Sequence, residues 1–462
     1  MAHQSHAGSR GEGESPPLTA GGETIAAVAT PAGRGGICVV RVSGAQARTI
    51  AYGVLGSIPE PRHATFARFQ SADGSLIDEG LALYFPAPHS YTGEDVLELQ
   101  GHGGPIVMQL LLRRCLELGA RFAEPGEFTR RAFLNDRIDL AQAESVADLI
   151  DASSVEAARS AARSLAGEFS ARVHSLVDEL TELRVHVEAC IDFPEEEIDP
   201  ADREWQRERA AKLARDLEGL QESAKQGAVL REGLTVVLVG RPNVGKSSLL
   251  NRLAGDEVAI VTPIPGTTRD YVRATVSLEG VPIHLVDTAG LREASEEVER
   301  IGIERTWRAI ESAGAALFIE DARGAAGEDL ALRRRLPSGL PLARVVNKID
   351  VDGGEAGRAD VAGETTVRIS AKTGAGLEAV RAWLLDVAGW RPHGEGLFMA
   401  RERHLRALES ARGHLETARA AQAFELKAEE YRLAQSELGR ITGDVHADDL
   451  LGEIFSRFCI GK

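Results

Sequence analysis

Gly240, Gly245, Lys246 and Ser247 form the pattern G-x-x-x-x-G-K-S, preceded by the strand-like run LTVVLVG and followed by the helix-like run SLLNRLAG. These residue types at this spacing make a cradle for phosphate. Glycines let backbone N–H groups close around the oxygens, the lysine reaches the outer phosphates, and the serine hydroxyl ligates magnesium. Three further groups follow in order. Asp287-Thr288-Ala289-Gly290 ends the apolar run HLVD, so the carboxylate can hold magnesium through water while Gly290 faces the terminal phosphate. Asn347-Lys348-Ile349-Asp350 ends ARVVNKID. A carboxylate there takes two hydrogen bonds from guanine N1–H and the exocyclic amine, a donor pair that adenine lacks. Ser370-Ala371-Lys372 ends the run TTVRIS and can close over the base. Any one of these groups has a bland explanation; four in this order and context describe a GTP site.

One departure bears on hydrolysis. Where Ras-like enzymes carry a glutamine that orients the attacking water, this chain has Leu291, which has no hydrogen-bonding group. Nearby, Thr262-Pro263-Ile264-Pro265-Gly266-Thr267-Thr268 is rich in hydroxyl and carbonyl oxygens, and Asn243 adds another beside the same phosphates. An oxygen cage against phosphate charge suits a monovalent cation, which can act where an arginine finger otherwise would. Thr268 is suited to complete the magnesium shell. Glu299, in SEEVERIGIERT, can orient water through an intermediary, although read blind it is more readily a solvated helix glutamate.

The elements that must position these groups read as an insertion. LTVVLVG, HLVDTAG, AALFIE, ARVVNK and TTVRIS are five strands of a doubly wound block over 233–386. On its N-terminal side, 138–232 is helical: Leu176, Leu180, Leu183 and Val187 fall on one helix face, and a second helix follows the acidic turn between Pro194 and Pro200. After it, 387–462 is again helical, with Leu405, Leu408, Ala411 and Leu415 sharing a face, and the chain ends on FCIGK. Helical sequence on both sides of an α/β block predicts one helical domain interrupted at a surface loop. Residues 24–137 alternate strand-like runs (TIAAVAT, GICVVRVSG, LALYFPAP, DVLELQGHGG) with the amphipathic IVMQLLLRRCLELG, an α+β or α/β domain. The expected fold class is therefore multidomain α/β and α-helical.

With 462 residues the chain exceeds one core. Residues 1–23 have no apolar run and read as a disordered tail. No stretch is long and apolar enough to cross a membrane. The cysteines, Cys38, Cys115, Cys190 and Cys459, have no paired spacing, so neither a disulfide frame nor a zinc site is expected, and the cytoplasm is. A net charge of −17 argues against gripping nucleic acid over the whole surface. A nucleic-acid role would need a local basic cluster, such as Arg130, Arg131 and Arg137, or a partner.

Beyond the GTPase segments, ATPAGRGGICVVRVSG, YTGEDVLELQGHGG, PGEFTRRAFLNDRIDLAQAE and FCIGK, together with TPIPGTTRD and DTAGLREASEEVERIGIERT, resemble the MnmE (TrmE) family from Thr24 to Lys462. The resemblance implies a GTP hydrolase with a folate-binding N-terminal domain, a split helical domain and an inserted G domain. It implies a homodimer made through the N-terminal domains and a heterotetramer with an MnmG (GidA)-like partner that carries FAD and NADH. Such complexes add an aminomethyl or carboxymethylaminomethyl group to C5 of the tRNA wobble uridine, taking the one-carbon unit from 5,10-methylene- or 5-formyl-tetrahydrofolate.

Carried over by position, GTP falls to Asn243, Val244, Gly245, Lys246, Ser247 and Ser248, to Thr262 through Thr268, to Asp287 through Gly290, to Asn347, Lys348 and Asp350, and to Ser370, Ala371 and Lys372. Potassium falls to Asn243, Thr262, Ile264 and Thr267, magnesium to Ser247 and Thr268, and catalysis to Glu299 with Lys246. Folate falls to Arg41, Glu98, Arg137 and Lys462, with Arg137 standing where the family pattern implies lysine. Read without the resemblance, Arg41 and Glu98 are equally an ion pair within the domain, and Cys459, which aligns with a family cysteine tied to activity, is more often a small buried apolar residue. The competing class is a ribosome-assembly or signalling GTPase, which shares the GTTRD and DTAG segments but carries an RNA-binding module whose signature is missing here.

Overall fold

The computed structural model describes residues 22–31, 33–192, 200–255, 274–287, 310–311, 313–324, 333–334, 336–361, 364–391, 396–444, 448–456 and 458–461. The tail expected at 1–23 falls almost wholly outside the described residues, as does the acidic turn. So do the segments that hold Thr262 through Thr268, Thr288 through Gly290, Leu291 and Glu299, and also Lys462. The chain divides into two compact units, 1–139 with 446–462, and 140–445.

The first unit is built on β1 (Ile25–Val28), β2 (Cys38–Ser43), β3 (Thr65–Gln70), β4 (Leu76–Phe85), β5 (Val96–Gly101) and β6 (Arg121–Phe122), in the order β3-β4-β5-β2-β1-β6. Every described pair is antiparallel except β1–β6. Alternation decides which side is covered: Cys38, Val40 and Val42 are buried while Val39 and Arg41 between them are only half-buried. Val40, Val42, Leu97 and Leu99 pack with Ile50 and Val54 of α1 (Ala47–Leu55) and with Leu111 and Cys115 of α2 (Pro105–Glu117). On the other side Ile25 and Ala27 meet Phe128 of α3 (Glu127–Leu134).

The C-terminal helix Asp448–Ser456 belongs to this unit and packs on α3, whereas the sequence pattern joined it to the helical stretch. Gly126 is the reason the approach is possible. Its φ is +66°, and an added Cβ would stand 2.7 Å from the Phe455 carbonyl oxygen and 2.9 Å from the Phe458 Cβ. A bridge between Pro125 and Ile460 continues the contact.

In the second unit α4 (Leu140–Ile150), α5 (Val155–Leu165), α6 (Glu168–Asp192) and α7 (Pro200–Glu232) precede the α/β block, and α11 (Glu402–Ala420) and α12 (Phe424–Thr442) follow it. The expected helix faces meet in one core: Leu176, Leu180, Leu183 and Val187 pack with Leu213, Leu217, Leu408, Ala411 and Leu415, and Leu405 lies at its margin. Helices from the two sides of the insert thus share one core, without the C-terminal helix.

The insert holds β7 (Leu234–Val239), α8 (Lys246–Gly255), β8 (Ala274–Leu278), β9 (Val281–Asp287), β10 (Ala315–Asp321), β11 (Leu342–Asn347), the short α9 (Ile349–Asp352), β12 (Gly357–Val361), β13 (Glu364–Arg368) and α10 (Leu377–Val387). Its sheet runs β12-β13-β11-β10-β7-β9-β8. The five expected strands form the parallel interior, and β8 and β12 pair antiparallel at the two edges.

Among the described residues the insert meets the bundle where the chain enters and returns, and also at the β8–β9 turn, where an added Cβ at Gly280 would stand 2.7 Å from Glu156 Cβ. Gly233 alone separates α7 from β7, and the returning chain is laced to α5 and α7. Ser160 Oγ donates to the Leu397 carbonyl (3.1 Å), Ser223 Oγ to that of Gly396 (3.1 Å), and the Met399 N–H donates to Ser164 Oγ (2.9 Å). Gly227 makes room for this strap: an added Cβ would lie 1.7 Å from the Phe398 carbonyl oxygen.

A buried ionic cluster pins the bundle beside it. Glu144, 1% exposed, meets Arg403 (Nε and Nη2, 2.8 Å each) and His404 Nε2 (2.9 Å), while Asp148 accepts from Arg401 (2.8 Å) and Arg231 (3.0 Å). His404 Nδ1 accepts from the Arg401 backbone N–H (3.2 Å), so the neutral ring carries its proton on Nε2, which lies 2.9 Å from Glu144 Oε2. Burial opposes the Glu144 charge, but His404 and Arg403 outweigh it and hold the carboxyl well below the ordinary range; burial, and then Arg403, push His404 below its ordinary value. Both shifts have the same consequence on acidification. The unfolded chain takes up a proton at His404 below pH 6.5 and at Glu144 below 4.5 that the folded chain resists, so stability is lost as pH falls through that window. Removing one partner of such a cluster costs roughly 3–5 kcal/mol. We expect Glu144→Ala to lower the unfolding free energy of the helical unit, measured in urea at pH 7.5, by that amount. We expect His404→Gln to flatten the wild-type loss between pH 6.5 and 5; an unchanged slope would show that other groups set the acid sensitivity.

Candidate functional site: a nucleotide cleft on the inserted sheet

The candidate nucleotide groups fall at the C-terminal ends of the interior parallel strands, where doubly wound sheets bind ligands. The phosphate loop follows β7, Asp287 closes β9, Asn347 closes β11, and Ser370-Ala371-Lys372 follows β13. The loop takes left-handed backbone at Asn243 (φ +65°) and Gly245 (φ +105°). Glycine is required at 245 because an added Cβ would sit 2.2 Å from Asn347 Nδ2.

Asn347, 2% exposed, holds the groups together. Its Nδ2 donates to the Val244 carbonyl of the phosphate loop (2.8 Å), and its Oδ1 accepts from the backbone N–H of Ala371 (2.9 Å) and of Lys348 (2.8 Å). Asn347, which the family resemblance assigns to GTP, is here an internal clip joining three loops. Lys348, also left-handed (φ +70°), sends Nζ to the Asn243 carbonyl (2.6 Å) and to Asp321 Oδ2 (2.8 Å). Asp350 is exposed and oriented by Ser370, whose Oγ donates to its Oδ1 (2.6 Å). A carboxylate fixed in this way can take the paired donors of guanine.

Lys246 is buried on the loop it serves, with Nζ donating to the carbonyls of Gly240 (2.6 Å) and Arg241 (3.0 Å). Ser247 and Ser248 occupy the exposed first turn of α8, whose N-terminus favours anions. Ser247 and Asp287 thus supply hydroxyl and carboxylate oxygens of the kind magnesium takes. Of the expected potassium set only Asn243 is described, exposed on the loop; Thr262, Ile264 and Thr267, the magnesium candidate Thr268, and Glu299 lie outside the described residues.

Asp321 was not anticipated from the pattern. It ends β10, directly across from Asn347, and accepts from Arg323 Nη2 (2.6 Å), Arg323 Nε (2.9 Å) and Lys348. These hydrogen bonds, from Arg323 first and then Lys348, hold its carboxyl far below the usual range. The signal was available: two acids, Glu320 and Asp321, close the apolar run AALFI.

In the N-terminal unit, Arg41 and Glu98 stand directly opposite on β2 and β5 and pair at 2.9 Å, as the ion-pair reading expected. The Arg41 guanidinium also lies near the rings of Tyr91 (5.6 Å) and Phe128 (5.8 Å), a cation–π environment that the strand pattern did not reveal. Arg137 is exposed, its stem against Gly93. Lys462 lies outside the described residues. Cys459 is exposed, not the buried apolar residue expected of a terminal cysteine.

One expectation is corrected. Arg131 is not an available nucleic-acid contact: its guanidinium is committed to Glu94 (2.9 and 3.0 Å) and Glu127 (2.8 Å). Glu127 also pairs with Arg121 at 2.6 Å. Burial works against ionising Glu127, but Arg121, the Glu124 N–H and Arg131 bring its carboxyl down to about 2.

Comparison with known proteins gives the same organisation. Residues 24–137 match the family model described as the GTP-binding protein TrmE N-terminus, and residues 140–459 match the MnmE helical domain. The tRNA modification GTPase MnmE of Azoarcus sp. is 59% identical over 443 residues, covering 95% of this chain and 98% of that protein. The protein of the same name from Ralstonia nicotianae is 59% identical over 457 residues, covering 95% and 96%. Among solved structures, the G domain of the T. maritima FeoB iron transporter aligns over 34% of this chain and 98% of its own at 24% identity, with a TM-score of 0.26, too slight a likeness to carry weight. With models matching both flanking regions and relatives sharing more than half of their residues along nearly the whole length, the chain belongs to the MnmE family of tRNA modification GTPases.

Proposed function

We propose that this chain binds GTP in the cleft of its inserted domain and hydrolyses it to GDP and phosphate in the service of tRNA wobble-uridine modification. The observation that carries this reading is the Asn347 clip, which gathers the phosphate loop, the base-reading acid and the closing loop around one buried amide. In the reaction water attacks the γ-phosphorus and the bond from the γ-phosphorus to the bridging oxygen breaks, leaving GDP. Lys246 meets the charge on the outer phosphates; Asp350 with Ser370 selects guanine. Ser247 and Thr268 hold magnesium, which neutralises phosphate charge. Asn243, Thr262, Ile264 and Thr267 hold potassium, which supplies the positive charge of an arginine finger. Glu299 orients the water through an intermediary, the task that Leu291 cannot perform.

The same proposal assigns reduced folate to the N-terminal unit, with Glu98 accepting from the pterin and Arg41, Arg137 and Lys462 meeting charge on the ligand. It also includes the homodimer and the heterotetramer with an FAD-dependent, NADH-using MnmG-like partner, acting in the cytoplasm on C5 of uridine. An exposed apolar pair, Phe66 (69% exposed) and its cross-strand neighbour Leu81, supports association through this unit. The commitment of Arg131 and the net charge of −17 favour a partner that holds most of the tRNA. Among the described residues no helix is long and apolar enough to cross a membrane. Family membership leaves the ribosome-assembly alternative without support.

Steady-state GTP hydrolysis by the full chain should be at least tenfold faster in potassium than in sodium, and Asn243→Ala should remove most of the difference. Equal rates in the two salts would end the cation-cage mechanism. For folate, calorimetric titration with 5-formyl-tetrahydrofolate should show saturable binding that weakens about tenfold in Glu98→Gln, with the far-UV spectrum unchanged. Undiminished binding in that variant would remove Glu98 from the site.

A further inference from the structure

We infer that Asp321 is a positioning residue for guanine nucleotide, acting through Lys348 on the phosphate loop. The chain of contacts is short. The Asp321 carboxylate holds the Lys348 ammonium at 2.8 Å, and the same ammonium holds the Asn243 carbonyl at 2.6 Å. Both backbones at the far end are left-handed, Lys348 at φ +70° and Asn243 at φ +65°, a conformation that non-glycine residues keep only when their surroundings impose it. A lysine head is a point charge on a flexible four-carbon stem, so it fixes the loop carbonyl only if its own position is fixed.

Asp321 is placed to do that. It sits at the last residue of β10, in register with Asn347, and the Ala322 N–H donates to the Asn347 carbonyl at 2.8 Å. Its second anchor is the fork of Arg323, whose Nε and Nη2 meet both carboxylate oxygens, and whose backbone N–H donates to Oδ1 at 3.1 Å. Arg323 is well exposed, Asp321 largely covered and Lys348 between them in exposure. The acid thus belongs to the wall of the cleft, and the arginine caps it from the solvent side. Asp321 need not touch the nucleotide for its loss to be felt at the phosphates and at the base, because Lys348 lies between the two halves of the cleft.

This inference rests on the reading that the cleft binds guanine nucleotide, and the test separates the two. Binding of fluorescent GDP to the full chain is measured directly for the wild type and by competition, which reaches millimolar constants, for the variants. Failure of the wild type to bind would overturn the nucleotide reading itself. With wild-type binding in hand, Asp321→Ala should weaken GDP about tenfold while leaving the melting temperature of the nucleotide-free chain unchanged, and Asp321→Glu should recover part of the loss. Arg323→Ala, which keeps the Lys348 contact, should stay within about twofold of wild type. The deciding measurement is the double-mutant cycle: Asp321→Ala should add nothing in a Lys348→Ala background. Additive losses, no loss in Asp321→Ala, or an equal loss in Arg323→Ala would each overturn the inference.

Discussion

The inserted domain depends on one buried amide. Asn347 presents a donor and an acceptor in a place closed to water, and both are used: the donor on the Val244 carbonyl, the acceptor on the N–H groups of Lys348 and Ala371. Each such bond contributes about 1 kcal/mol net, but an orphaned buried partner costs about 1–3 kcal/mol, so the three loops are bound to one another by what separation would leave unsatisfied. The parallel register of β7, β10, β11 and β13 brings the loop ends to the same side of the sheet, and the amide fixes their spacing. Gly245 is the corresponding constraint on the chain: no larger residue could stand beside that amide.

This arrangement is tied mechanically to the helical bundle. The strand that carries the phosphate loop begins one residue after a 33-residue helix ends, and the strap that returns from the insert runs along that helix, held by Ser160, Ser164 and Ser223. The strap bonds mostly through its own backbone, so its position is set by main-chain geometry and not by which side chains it carries. Gly227 permits the contact, and the Glu144–Arg403–His404 cluster anchors the bundle where the strap becomes α11. A displacement of β7 therefore bears directly on the end of α7 and on the strap beside it.

The sequence revealed what repeats and what is chemically distinctive. The interior strands were legible because strands buried on both faces are continuous apolar runs, and the bundle faces because leucines recurred at helical spacing. The edge strands β8 and β12 were not, since Gly-Arg-Ala-Asp-Val carries no apolar run and an edge strand needs none. The fate of the C-terminal helix depended on Gly126, far away in sequence, and nothing local to Asp448–Ser456 announced it. Within the site, residue types identified the cleft, but roles shifted: Asn347 faces inward as a clip, and Asp321, outside any named motif, joins the cleft because strand register sets it across from Asn347. Charge was the least legible feature. Arg130, Arg131 and Arg137 look like a basic cluster along the chain, yet Arg131 is neutralised by Glu94 and Glu127, which only the folded contacts disclose.

An internal ion pair such as Arg41–Glu98 is compatible with the ligand role proposed for the same residues. The two side chains are about one-fifth exposed, and pairs near solvent contribute about 0–1 kcal/mol because the Coulomb gain is offset by desolvation and screening. Separating them therefore costs little, provided each charge finds a new partner. A ligand that offers paired N–H donors to Glu98 and negative charge or a π-face to Arg41 would meet that condition, and Tyr91 and Phe128 already favour the cation from the side. In the absence of such a ligand the pair keeps both charges satisfied and in register across β2 and β5. The ion pair thus holds the two groups at the spacing of one cross-strand pair, and a ligand of that kind would replace only a weak contact.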